Sequence, residues 1–366
     1  MGRVSRHDSI FTKQLPSRPP LFPHSLRIPQ NPLERSRPMK PVRPLVLGAH
    51  GQVGEALCRL CQSQGIPVLG LGRAQAPLDN LVSLRDTLTL HIQAFEPAQI
   101  INAAAYTAVD RAETEPDLAH RINAQAVGLI GEIAAAHGIP MVHYSTDYVF
   151  DGRKPVGQAY LPDDVVNPES VYGQSKRAGE VLLLNSEAQA LVLRTSWVFS
   201  SHGANFLKTM LRLAQERETL KVVADQHGAP TSAVFIARST LQILTQWPLP
   251  AQPLQDTKAL GTLNERPSQT RPQNGQGRLY HLTASGHTTW HGFACALIAQ
   301  ARALRPDLSW KILADTQIQP ITSAEYNAPA ARPLNSLLDC SATERDFGIT
   351  RSGWEQQMQE VLEIIT

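Results

Sequence analysis

The chain has only four cysteines in 366 residues, Cys58, Cys61, Cys295 and Cys340, too few and too scattered to staple a fold of this length. No apolar run approaches the roughly 18 residues needed to span a bilayer, and the N-terminus lacks the apolar core of a secretory signal. A membrane-inserted or disulfide-stapled protein is thereby excluded, and a reducing cytoplasm is the expected setting. An excess of one charge is lacking too. With 34 Lys+Arg against 32 Asp+Glu, the net charge of +2 offers no global field for nucleic acid. Cys58 and Cys61 have the spacing of a redox pair, but Val53, Leu57, Cys58, Leu60 and Cys61 recur at helical spacing. That pattern predicts two small core residues on one helix face.

What is present is the composition of a globular protein, 42% hydrophobic and 18% charged, long enough for two domains. One asymmetry hides inside the balance. The first 43 residues hold nine Lys/Arg against Asp8 and Glu34, a local charge of +7, and nine prolines fall in the first 44. Such a segment buries too little apolar surface to offset its ordering entropy, so residues 1–42 are expected to form a disordered basic arm. An organelle transit peptide would also be Arg-rich, but Pro16, Pro19, Pro20 and Pro23 would break its amphipathic helix. Arg6 occupies the place where a myristoylated Gly2 wants Ser/Thr. Met39 is a candidate start of translation. A second stretch without periodicity, 248–277, carries five prolines and reads as a surface insertion.

From residue 42 onward, short β-branched runs alternate with longer helical patterns, which predicts βαβ units and a parallel sheet. Strands are expected at 42–47, 68–71, 99–102, 141–145 and 191–195. Helices are expected at 52–64, 117–137 and 168–185. Beyond residue 196 the expected elements are a helix at 205–216, a strand at 221–223, a helix at 233–247, a His-rich strand from Leu279 and a helix at 293–304. The expected class is α/β, a doubly wound parallel sheet of the Rossmann kind over residues 43–196, with a returning segment near 222–247. A smaller, mostly C-terminal substrate domain would take up 197–366.

The first strand runs into Gly48-Ala49-His50-Gly51-Gln52-Val53-Gly54, and a helix follows. Gly48 permits a tight turn, Gly51 lets backbone approach a pyrophosphate, and Gly54 allows close packing at the helix start, where free N–H groups favour phosphate. Binding of a dinucleotide is the expectation. At the end of the second strand, where NAD-preferring folds place an acid, the chain reads Leu69-Gly70-Leu71-Gly72-Arg73. Arg73 could pair with a 2′-phosphate, which favours NADPH, with NADH as the alternative. Asp79 and Asn80 are candidates to hydrogen-bond the adenine. Ala103, Ala104, Ala105 and Tyr106, after the third strand, would let backbone lie against the ribose and nicotinamide.

Tyr172 and Lys176, four residues apart on a predicted helix, share a face. A free phenol titrates near 10, and an adjacent ammonium would bring that value down, making Tyr172 a candidate acid/base. Ser145-Thr146-Asp147 lies at the carboxyl end of a strand, the edge where open parallel sheets bind ligands, and a hydroxyl there can polarise a carbonyl. No group of His, Cys, Asp and Glu has metal-ligand spacing. His281, His287 and His291 read as structural or substrate-side polar residues.

In this order the motifs resemble the extended short-chain dehydrogenase/reductases and, among them, the dTDP-4-dehydrorhamnose reductases. The resemblance rests on GAHGQVG (48–54), NAAAYTAVDRAETEP (102–116), STDYVFDG (145–152), VYGQSK (171–176), RTSWVF (194–199), NFLKTM (205–210), VVADQHGAPT (222–231) and ARPLNSLLDC (331–340). It implies NAD(P)H-dependent reduction of a sugar-nucleotide C4 ketone by a monomer or homodimer. It makes Tyr172 the proton donor, Lys176 the holder of the nicotinamide ribose, and Thr146 the neighbour of the substrate carbonyl. It further implies that Thr146, Asp147 and Trp197 line the sugar-nucleotide site, and that His50, Gly51, Gln52, Ala104, Ala105 and Tyr106 contact the cofactor. Arg332, Asn335 and Ser336 match its tail motif without an assignable chemistry. Two other readings stand beside it: a non-catalytic subunit resembling the regulatory partner of methionine adenosyltransferase, and a different sugar-nucleotide reductase or epimerase.

Overall fold

The computed structural model describes residues 41–246 and 278–365. The basic arm up to residue 40, Met39 and the 248–277 insertion lie outside the described residues.

A glycine loop separates β1 (Pro44–Leu47) from α1 (Gln52–Ser63). The chain then forms β2 (Leu69–Leu71), α2 (Leu81–Phe95), β3 (Gln99–Asn102), β4 (Met141–Thr146) and β5 (Ala190–Thr195). Together with Arg278–His281 these strands make one six-stranded sheet. From one edge the order is β2, β1, β3, β4, β5 and then 278–281, with every pairing parallel. Because helices cover both faces, every residue of β1, β3, β4 and β5 is buried. Side chains alternate between the faces. Leu45 and Leu47 join Leu84, Leu88 and Ile130 on one side, whereas Val46 joins Leu57, Ile101, Ile236 and Leu241 on the other. The helix Ala233–Leu244 thus packs with α1 on the sheet. A third core gathers Phe199, Leu207, Phe293, Leu297, Trp354 and Met358. It lies among the helices Phe206–Glu216, Trp290–Leu304 and Trp354–Ile365.

Four of the differences between expected and observed elements bear on the site and the sheet. The helix expected over 117–137 begins at Pro116 and is interrupted by a π-helical turn at Arg121–Gln125 before continuing as Ala126–Ala136. The helix carrying Tyr172 begins at Val171 rather than 168, because Ser170 is the cap and accepts from the Gly173 N–H. α2 was not anticipated. Val82 and Leu90 are 74% and 64% exposed, so its apolar residues form no single stripe. Finally, the strand at 278–281 sits on the main sheet, with His281 opposite Arg194 of β5. Cys61 is buried and Cys58 half-buried on the α1 face, both as free thiols. Burial, with Glu55 for Cys58 and Cys58 for Cys61, pushes them up to about 11 and about 12, the behaviour of core residues.

Candidate active site

The chain order reverses beside β1, which pairs with β2 on one side and β3 on the other, and the crevice of an open parallel sheet forms at such a point. Gly48 turns the chain there with φ 78°, and a Cβ on it would come within 2.7 Å of the Ala104 backbone nitrogen. A Cβ on Gly54 would lie 2.2 Å from the Gly48 carbonyl oxygen, so this glycine lets α1 start hard against the loop. Gly51 meets only that oxygen, at 3.3 Å, and α1 has no side-chain cap. The start of α1 therefore presents backbone N–H groups to an open cleft of about 690 Å³, within the ~300–1,000 Å³ of small-molecule sites. Gly48, His50, Gly51, Gln52 and Val53 wall it, opposite Ala104, Ala105 and Tyr106.

At the far end of the cleft stand Arg73 and Asp79, paired at 2.7 Å. A hydrogen bond from Arg73 is the main influence holding the Asp79 carboxyl below its usual range. Asp79 thus stands in the cleft wall already paired with a neighbour. Asn80 departs further from expectation. Its Oδ1 accepts from the Ser83 N–H at 3.1 Å, capping α2, and the residue is not part of the cleft wall.

The loop after β3 is tied to the Tyr172 helix by Asn123, which the π-helical turn brings into position. Asn123 Oδ1 accepts from the Tyr106 N–H at 2.8 Å, and its Nδ2 donates to the Tyr106 carbonyl and to Ser175 Oγ, both at 3.0 Å. Gly179 permits this approach, since a Cβ there would lie 2.0 Å from the Asn123 carbonyl oxygen. Tyr106 also donates to Glu115 at 2.6 Å, and Arg111 pairs with the same carboxylate. Arg111, Glu115, Leu118 and Ile122 wall the cleft although sequence reasoning did not single them out. For Arg111 and Glu115 the signal was the 102–116 motif itself, read there only as resemblance, whereas Leu118 and Ile122 lie beyond it.

Tyr172, Lys176 and Ser145 close the cleft on the β4 side. Part of the tyrosine ring faces the cleft and packs edge-on against Tyr148 at 5.4 Å. The expected lowering of Tyr172 by its ammonium neighbour does not occur. Burial pushes the phenol up to about 12, with hydrogen bonding to Thr146 as partial relief and the Asp147 charge acting in the same sense as burial. Lys176 instead turns into the sheet, donating to the Tyr144 carbonyl at 2.7 Å and lying 3.3 Å from His143 Nε2. Burial lowers Lys176 to about 8, against the pull of Glu180.

Thr146 and Asp147 stand one step behind the cleft wall. Thr146 donates to Asp147 Oδ1 at 3.0 Å and accepts from the Tyr148 N–H at 3.2 Å. Asp147 is 2% exposed, and burial raises it to about 6 against hydrogen bonds with Ser336 and Thr146. Trp197 adopts φ 48° and stacks on Trp290 at 3.7 Å, outside the cleft wall, with its indole against Gly228. The structure thus brings Tyr172, Lys176 and the glycine turn around one cleft, and Thr146 to Tyr172. It leaves Asn80 and Trp197 aside.

A doubly wound parallel sheet, a glycine turn at its switch point and a Tyr-x-x-x-Lys pair on the facing wall define a dinucleotide-dependent reductase of the extended short-chain class. The profile of the family described as RmlD substrate binding domain matches residues 42–366. A dTDP-4-dehydrorhamnose reductase of Burkholderia thailandensis is 40% identical over 310 residues, covering 85% of this chain and 94% of that relative. The corresponding enzyme of Salmonella typhimurium is 35% identical over 331 residues, covering 87% of this chain and 96% of that one. The crystal structure of dTDP-4-dehydrorhamnose reductase from Bacillus anthracis in complex with NADP superposes with a TM-score of 0.73 at 27% identity, covering 89% of this chain and 100% of that one. This chain belongs to the dTDP-4-dehydrorhamnose reductase family.

Proposed function

We propose that the protein reduces the C4 ketone of dTDP-4-dehydro-L-rhamnose to dTDP-L-rhamnose at the expense of NADPH, with NADH as a second donor. The observation that carries this reading is that Tyr172, Lys176 and Ser145 wall the same cleft as the glycine turn.

The residues present suit a dinucleotide. The open face of Gly51 and the uncapped start of α1 would hold the pyrophosphate, and Arg73, exposed at the far end, would meet a 2′-phosphate. When bound, the cofactor supplies the hydride. Tyr172, raised to about 12, is a phenol rather than a phenolate throughout the neutral range, the state required of a group that gives its proton to O4. Thr146 orients that hydroxyl and is the candidate to polarise the carbonyl. Lys176, held on β4, would carry the nicotinamide ribose. Asp147 supports Thr146 from behind. Trp197, propped by Trp290, is the candidate to shape the sugar-nucleotide side.

The test is to mix the purified chain with dTDP-4-dehydro-L-rhamnose and follow loss of reduced nicotinamide by absorbance, with NADPH and NADH in separate cuvettes. Consumption matched by formation of dTDP-L-rhamnose is expected. No oxidation of either cofactor would sink the reading.

A further inference from the structure

Behind the cleft wall runs a buried chain of polar groups that the proposed reaction does not use. Asn102 of β3 and His143 of β4 are register partners, each 0% exposed, and Lys176 is 2% exposed. The Ala104 N–H donates to Asn102 Oδ1 at 3.1 Å. That bond sets the amide's orientation, so the Asn102 NH₂ group faces His143 Nδ1, at 3.2 Å. His143 Nε2 in turn faces Lys176 Nζ, at 3.3 Å.

A neutral imidazole has one N–H and one lone pair. Facing an amide donor, Nδ1 satisfies its neighbour only as an acceptor, which leaves the proton on Nε2. An Nε2–H pointing at Nζ is a hydrogen bond if Lys176 is an amine and a clash of donors if it is an ammonium. For the ammonium to be accepted, His143 must shift its proton to Nδ1, against the Asn102 NH₂ group. A buried polar group without its bond is expensive enough to bias that choice.

Building on the reductase reading, we propose that Asn102 and His143 are positioning residues for Lys176: the Asn102 amide holds His143 with its proton on Nε2, and this favours the amine form of Lys176. The pair keeps a cationic side chain of the site ready to release its proton at the tyrosine's end of the cleft. Burial acts in the same sense on Lys176. His143 is itself kept neutral by burial and by the Lys176 charge, which outweigh the opposing pull of Glu180 and of the Asn102 backbone. Among the described residues the carboxylate bearing on Lys176 is Glu180, one turn along the same helix, and it is bonded to Arg194 of β5 and to Arg177, so it has little negative charge to spare. Tyr172 on the same helix is a neutral phenol, and the Tyr144 carbonyl on β4 accepts from Nζ in either state.

Two magnetic-resonance readouts on the full chain test this without turnover. With ¹⁵N-histidine, His143 is expected to show an unprotonated Nδ1 and a protonated Nε2, unchanged from about pH 5 to about pH 9. A proton on Nδ1 overturns the proposal. With ¹³C-lysine, Asn102→Asp, which offers Nδ1 an acceptor, is expected to raise the Lys176 midpoint by about one unit. The pH limb of kcat should move with it. Because Asn102→Asp buries a carboxylate, the uncharged Asn102→Leu is the second variant, with a rise in the same direction expected. An unmoved Lys176 midpoint in a folded variant overturns the proposal. Absence of reductase activity would sink the proposed reaction and leave both of these readouts to decide on the pair.

Discussion

Lys176 and Glu180 lie one turn apart on the same face of one helix, 2% and 0% exposed, yet their surroundings treat the two charges in opposite ways. Glu180 receives Arg194 in a two-pronged contact, Nε to Oε1 at 2.7 Å and Nη2 to Oε2 at 2.8 Å, with Arg177 at 2.9 Å. Burial would raise its pKa, but the two guanidinium groups hold it at about 2. Arg194 is itself fastened by the Pro162 carbonyl and lies over the Phe150 ring. Among the described residues Lys176 has no such bonded counter-ion; it touches a carbonyl and an imidazole, and burial brings it down to about 8 against the pull of Glu180. A buried charge that is permanently paired braces the helix against β5. One left unpaired sits near the pH at which it can change state. The structural and the chemical use of buried charge are separated here by a single helical turn.

The largest effect expected on this contrast comes from the paired side. Glu180→Ala strands two guanidinium groups inside the fold and should cost about 3–5 kcal/mol of stability, read by denaturant unfolding. A loss below 1 kcal/mol would mean that the cluster is not a brace. Because the folded pKa of Glu180 lies below its ordinary 4.5, its contribution is complete above that value and is lost as the pH falls toward about 2. The variant should therefore close on the parent in acid.

On the chemical side, Tyr172→Phe should lower kcat at least about a hundredfold, since a positioned acid contributes about 10²–10⁴, with cofactor affinity nearly unchanged. Near-normal turnover would remove Tyr172 from the proton-donor role. Arg73 contrasts with both buried groups, being 78% exposed on its side chain and paired with Asp79. Arg73→Ala should weaken NADPH binding about tenfold and leave NADH binding unchanged, measured by titration calorimetry. Equal losses for the two cofactors would contradict a 2′-phosphate contact.

The smallest effect concerns Asp147, buried like Lys176 without a bonded counter-ion among the described residues and raised from 3.8 to about 6. An acid raised in the fold penalises the folded state above its folded pKa and not below its unfolded one. Asp147→Asn should thus raise Tm by roughly 2–4 °C above about pH 6 and by nothing below about pH 4. A gain that is the same at both ends would rule out the carboxylate as its source.

Which parts of this site were readable in advance follows from the range of the interactions involved. The glycine turn was legible because Gly48 takes a φ of 78° and Gly54 lies hard against the Gly48 carbonyl six residues before it, whereas the Ala104 backbone that also crowds Gly48 is remote in the chain. The Tyr172–Lys176 pair was legible because helical spacing places them on one face. The capping bond of Asn80 was not legible, since its side chain serves the helix that follows it, and that helix, with Val82 and Leu90 outward, has no clean apolar stripe to announce it. The direction of the Tyr172 shift was misread for a different reason. Spacing puts an ammonium on the same face but says nothing of the strand against which that face packs, and β4 offers Lys176 a carbonyl it takes in preference to the phenol.

Sequence alone determined the alternation of strands and helices, the phosphate-facing turn, and the residue types able to move a proton, because each depends on periodicity or on neighbours close along the chain. Tertiary structure alone decided which charges are paired and which way donors point. Arg194 reaches Glu180, Asn123 reaches Tyr106 and Ser175, and Asn102 meets His143 between different elements, 14 to 52 residues apart. Proton affinities in the interior follow from those meetings and from the exclusion of water, and neither is written in local spacing.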